Sequence, residues 1–218
     1  MATATELRSL IVRLSDNAER DLALLWAQLD AATVRDGLFD VLPALVSEYG
    51  DACAAVTAEW YDEYRSDLNV RGSYAADLAS PDLGAQALAG WGSQLAQTNW
   101  DTALAQIAGG LISRVMNASR ATVIENVDRD PQGRGWQRLA RPDGCAFCVM
   151  LASRATLHDP TFYRDRGTAT FAAHTNCKCS AAPAFTDRAV PVKKYTPTDR
   201  NITDADRARV RAWIAANQ

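Results

Sequence analysis

The chain has few of the residues that most enzymes of its size use for chemistry. Of its 218 residues only two are histidine, His158 and His174. No H-E-x-x-H occurs, so the common zinc-peptidase arrangement is excluded. No histidine precedes the first cysteine pair, so the H-x-E upstream of P-C-x-x-C that zinc deaminases need is missing. There is no G-x-S-x-G elbow and no G-x-x-x-x-G-K-[ST] phosphate loop. On paper His158-Asp159 or His174 can be combined with Ser153 or Ser180 into a hydrolytic triad, but nothing in the sequence supports that grouping, and no catalytic residue is assigned. No apolar run reaches the roughly 18 residues of a membrane span. The N-terminus mixes its charges and lacks a basic end followed by an apolar block, so it does not read as a secretion signal. The expectation is a protein soluble in the cytoplasm where it is made, with no membrane partner. Internal repeats, low-complexity tracts and Lys/Arg runs are also missing.

Apolar residues make up 48% and charged residues 22%, enough to bury a core. The net charge of −3 is unevenly spread. Residues 1–130 carry −10, residues 131–188 carry +4 and residues 189–218 carry +3. An acidic N-terminal part joined to a basic C-terminal part is a difference between two solvated surfaces, or an adaptor whose basic end lies near nucleic acid.

Hydrophobic periodicity predicts three long helices, over about residues 4–29, 38–67 and 83–127. In the first, Leu7, Leu10, Ile11, Leu14, Ala18, Leu22, Leu25 and Leu29 form the stripe, and Thr3 or Thr5 can cap its start. In the second, Pro43 belongs in a first turn, which puts the start near it. Cys53 falls on that helix's apolar stripe and reads as a core thiol. Gly72, Ser80 and Pro81 mark a loop over 69–84, a candidate hinge. Gly109-Gly110 interrupts the third stripe, as a kink or a point of close packing.

Pro131, Gly133 and Gly135 then mark a boundary. Residues 131–185 are turn-rich, with strand-like runs at 168–173 and 177–185. Residues 186–201 read as a Pro-marked linker. The last residues form a short terminal helix with Val210, Trp213 and Ile214 on one face. The fold class expected is mainly α, with a long helical N-terminal region (1–130), a small C-terminal α+β Cys/His lobe of zinc type (131–185), and a linker with a terminal helix (186–218).

Four of the five cysteines fall in that lobe. Cys145-x2-Cys148 is followed, after 25 intervening residues, by His174-x2-Cys177-x-Cys179. Two close pairs far apart in sequence are how tetrahedral zinc sites are commonly built, each loop giving two ligands. In a strand Cys177 and Cys179 would point to one face. The metal candidates are Cys145, Cys148, His174, Cys177 and Cys179, five for four positions, and the cofactor they imply is zinc in a structural role. Disulfides, disfavoured in a reducing cytoplasm, and free thiols are the other readings.

The spacing C-x2-C-x2-L (Cys145, Cys148, Leu151) followed by H-x2-C-x-C-x3-P (His174, Cys177, Cys179, Pro183) resembles the C-terminal motif of the phage Mu F-like minor head proteins, in their actinophage-type branch. It covers about residues 136–185. Thr175 stands where the family more often has Pro. The resemblance implies a minor capsid protein of a tailed phage, working in head morphogenesis at or near the portal inside the head. Its partners would be the portal or major capsid protein and, through the basic C-terminal part, packaged DNA. It would be found in host cytoplasm during assembly and then in the virion. Similar proteins are also described as capsid maturation proteases, which is the rival reading. A zinc-ribbon nucleic-acid binder unrelated to phage is the third.

Overall fold

In the computed structural model the described residues are 2–140, 144–145, 148–149, 152, 163–164, 171, 173–185, 208 and 212. The linker, most of the terminal helix, Ser153, His158, Asp159 and most of the run 168–173 lie outside them. Four helices are described: α1 (Ala4–Trp26), α2 (Val34–Asp67), α3 (Ala85–Thr98) and α4 (Trp100–Arg129). Three strands follow: β1 (Gly135–Leu139), β2 (Tyr163–Arg164) and β3 (Ser180–Ala184). The sheet order is β2-β1-β3, antiparallel throughout, with Trp136 opposite Pro183 and Leu139 opposite Ser180. The protein is thus mainly α with a small antiparallel sheet and a C-terminal Cys/His cluster, as the periodicity and spacing predict.

α1 starts at Thr3, whose side chain accepts from the Glu6 backbone N–H while the Glu6 carboxylate accepts from Thr3, a reciprocal capping box. Leu7, Ile11, Ala18 and Leu22 of the expected stripe are buried, whereas Leu10 is 36% exposed. The helix ends at Trp26, three residues early, because Asp30 folds the chain back onto the Ala32 and Thr33 N–H groups.

α2 begins at Val34, well before Pro43, which lies inside it. The expectation that Pro43 marks the start is therefore wrong. Val34, Leu38 and Leu42 are fully buried. Their burial, worth about 1.5–3 kcal/mol each, offsets the roughly 3 kcal/mol that an internal proline costs. Cys53 is fully buried, as its place on the stripe implies.

The single helix expected over 83–127 is two helices. Asn99 leaves helical geometry (φ −152°, ψ 75°), and Trp100 turns onto Trp26 with ring centroids 4.4 Å apart. Tertiary packing overrides the continuous periodicity here. Gly109 and Gly110 do not break α4; they are the close-packing points. A Cβ on Gly110 would lie 2.6 Å from Leu88 Cδ1.

Residues 69–84 form no helix or strand, and the segment is strapped to the helices. Tyr74 Oη and the Asp77 N–H both donate to Asn126 Oδ1, and the Ala76 N–H donates to Asp62. At its start Arg65 donates to the carbonyls of Val70, Arg71 and Gly72 while pairing at 2.8 Å with the buried Asp130 at the end of α4. β1 and β3 lie on α4, so Trp136, Ala181 and Ala182 join the apolar core of the helices.

Candidate metal centre

The second cysteine pair does not sit in a strand. Cys177 and Cys179 precede β3, in a segment opened by the turn His174–Cys177, where the Cys177 N–H donates to the His174 carbonyl at 3.1 Å. Asn176 takes the left-handed conformation (φ 63°) that this turn requires, a role Asn fills more readily than other non-glycine residues. The turn is pressed onto α4. A Cβ on Gly109 would lie 2.6 Å from Thr175 Cγ2 and 2.8 Å from the Asn176 side chain, so only glycine lets the turn approach this closely. Lys178, between the two cysteines, reaches α1 and pairs with Asp16 at 2.5 Å. In the first pair, the Cys148 N–H points at Cys145 Sγ (3.4 Å) and the Val149 N–H donates to the Cys145 carbonyl, which holds both thiols on one side of a tight turn.

These two loops meet. Cys145 Sγ lies 2.8 Å from His174 Nε2, Cys148 Sγ 3.6 Å from the same nitrogen, and Cys148 Sγ 3.4 Å from Cys177 Sγ. The donors form two triads that share Cys148: Cys145, Cys148 and His174, and Cys148, Cys177 and Cys179, each with its ligand atoms within 4.8 Å of one another. All five candidates from the sequence are thus brought together. They line a cavity of about 130 Å³ with Gly144, Asn176 and Lys178. Cys148, Cys177 and Cys179 are 1–2% exposed, while Cys145 and His174 are open to solvent.

The donor chemistry fits a metal ion. Sulfurs sharing a tetrahedral ion at 2.3 Å stand about 3.8 Å apart, near the 3.4 Å between Cys148 Sγ and Cys177 Sγ. His174 Nδ1–H donates to the Thr175 carbonyl at 2.5 Å, which fixes the tautomer and leaves Nε2 with its lone pair toward the thiols. Hydrogen bonding with Cys148 and Cys179 holds Cys177 well below the usual thiol range, and the contacts with Cys177 and Cys179 push Cys148 well above it. None of the five cysteines is joined in a disulfide, so the disulfide reading is not the state seen here.

Sequence reasoning missed the cations beside the thiols. Arg120 of α4 and Arg138 of β1 are 1% and 5% exposed. Their guanidiniums lie over the Phe171 ring at 4.4 and 3.6 Å, and Arg138 Nη1 is 3.8 Å from Cys148 Sγ. A signal for Arg120 existed: it continues the Ile112–Met116 spacing of the apolar stripe by one turn, and a charge on that face needs a partner.

Fold and cluster together define a helical protein with a C-terminal Cys/His centre able to hold a metal ion. The chain belongs to the VG15 protein family, a family of phage gene proteins, whose model matches residues 1–202 and so runs through both helices and cluster. No curated protein and no solved structure matches it. Among the described residues, no helix is long and apolar enough to cross a membrane.

Proposed function

We propose that this phage protein is a minor head protein of a tailed phage, Mu F-like in its C-terminal motif, and that its cluster binds one zinc ion as a structural clamp. The observation that carries the metal part is the convergence of Cys145 and Cys148 with His174, Cys177 and Cys179 across 25 intervening residues. Zinc bound there supplies a cross-link without redox chemistry. Its ligands would come from Cys148, Cys177 and Cys179, completed by His174 or Cys145. The virion reading is supported by the family match and by the C-x2-C and H-x2-C-x-C-x3-P motif. The work of such a protein is binding: to the portal or major capsid protein, and to packaged DNA through the basic C-terminal part, inside the head near the portal. Metal analysis of the reduced protein should find about one zinc per chain, and mass spectrometry of purified virions should find the chain in them. Zinc-free protein refutes the clamp; virions lacking the chain refute the head role.

One observation favours the capsid maturation protease as a second reading. Exposed Cys145 lies 2.8 Å from His174 Nε2, whose other nitrogen is held by a carbonyl, the geometry of a nucleophile with its base. Normal processing of co-expressed capsid and scaffold proteins by Cys145→Ala and His174→Ala variants would sink it.

A further inference from the structure

Arg120 is a cation in an apolar place. Its side chain is 1% exposed. Nε donates to the Cys179 carbonyl at 3.0 Å, Nη2 to the carbonyls of Cys179 (2.7 Å) and Cys177 (2.6 Å), and Nη1 to Asn117 Oδ1 at 2.7 Å. Among the described residues it meets no carboxylate. A buried guanidinium without an opposite charge is costly, and burial pushes Arg120 down from its ordinary range.

We propose that Arg120 is a positioning residue of the metal centre: its fork holds the Cys177 and Cys179 backbone so that both thiols face Cys148. The inference rests on the metal reading above. Two features separate it from space filling. The carbonyls it binds belong to two ligands and to no other residue. The fork geometry also matters, because a lysine in the same place keeps the charge but not the planar set of donors. Through Arg120 the ligand segment is registered to α4, one turn beyond Met116, and not merely to its neighbours in sequence.

The test uses the full chain, with cobalt(II) and zinc titrated against a competing chelator. Arg120→Met should weaken metal binding about ten- to a hundredfold, the loss typical when a residue supporting the ligands is removed. It should also lower the cobalt–thiolate charge-transfer absorption. Arg120→Lys should recover part of the affinity, and Asn117→Ala, which removes only the hydrogen bond that orients the guanidinium, should cost less than either; these two carry the test if Arg120→Met does not fold. Leu111→Ala, a cavity in the helical core, should leave affinity and absorption unchanged, which separates positioning from general loss of stability. If the parent chain binds metal and all three Arg120 and Asn117 variants bind it equally tightly, the inference is overturned while the metal reading stands. If the parent chain binds neither cobalt nor zinc, both fall.

Discussion

Among the described residues, the apolar core built on the four helices consists of Leu, Ile, Val, Ala, Met and aromatic groups, with Cys53 its lone thiol. Around the ligands the buried cluster is Ala140, Cys148, Val149, Ala152, Cys177 and Cys179, half of it cysteine. The first region is held by area. Trimming any one side chain there removes a fraction of a large sum, about 2–5 kcal/mol for a leucine. The second has little area to lose, and its coherence depends on a few donors meeting at one point. Small lobes of this kind are sustained by a metal where a core is insufficient. The contrast teaches that the two regions should fail differently: one by degrees, the other all at once.

The largest effect expected is from Cys148→Ala, since Cys148 belongs to both triads. Metal content should fall from about one per chain to none. Hydrogen exchange should show residues 148–149 and 173–179 losing protection while α1, α2 and α4 keep theirs. In small zinc-dependent folds the ion contributes on the order of 10 kcal/mol. Loss of protection in the helices as well would mean that the two regions are one cooperative unit. Next in size, Arg65→Met removes the cation paired with the buried Asp130 in the helical region and frees the loop carbonyls that Arg65 binds. Urea unfolding should show a loss of about 3–5 kcal/mol, with metal affinity unchanged; a change in affinity would show that the helical region reaches the cluster through Asp130. The smallest is Gly109→Ala, placed where the regions touch. The added methyl must push the His174–Cys177 turn from α4, at about 1–3 kcal/mol. It should weaken stability and metal binding together, whereas an effect on one alone would break the account of the turn as their point of contact.

The helices were legible because burial on a cylinder repeats every three to four residues: Leu7, Ile11, Ala18 and Leu22 show it directly. The cluster was legible because close cysteine pairs have few other uses. What escaped has a common physical origin in contacts between distant parts of the chain. Nothing local in Thr98-Asn99-Trp100 announces a break; Trp26 causes it. Nothing local permits Pro43 in mid-helix; the burial of Val34 and Leu38 does. Strand β1 carries Gly135 and Arg138 in five residues and gains its pairing from β3, more than 40 positions away. Arg120 falls on the apolar stripe, but the carbonyls of Cys177 and Cys179 that receive it lie far along the chain.

Cys53 has a practical consequence. Its thiol is fully enclosed by the helices, and burial alone pushes it up to about 12. The thiolate is the form that alkylating reagents attack, so near neutral pH this sulfur is inert as long as the helices hold. Cys145 is the exposed cysteine, whereas Cys148, Cys177 and Cys179 are buried in the cluster. Label on Cys145 is therefore expected from the native protein, label on the other three reports opening of the cluster, and label on Cys53 reports opening of the helices.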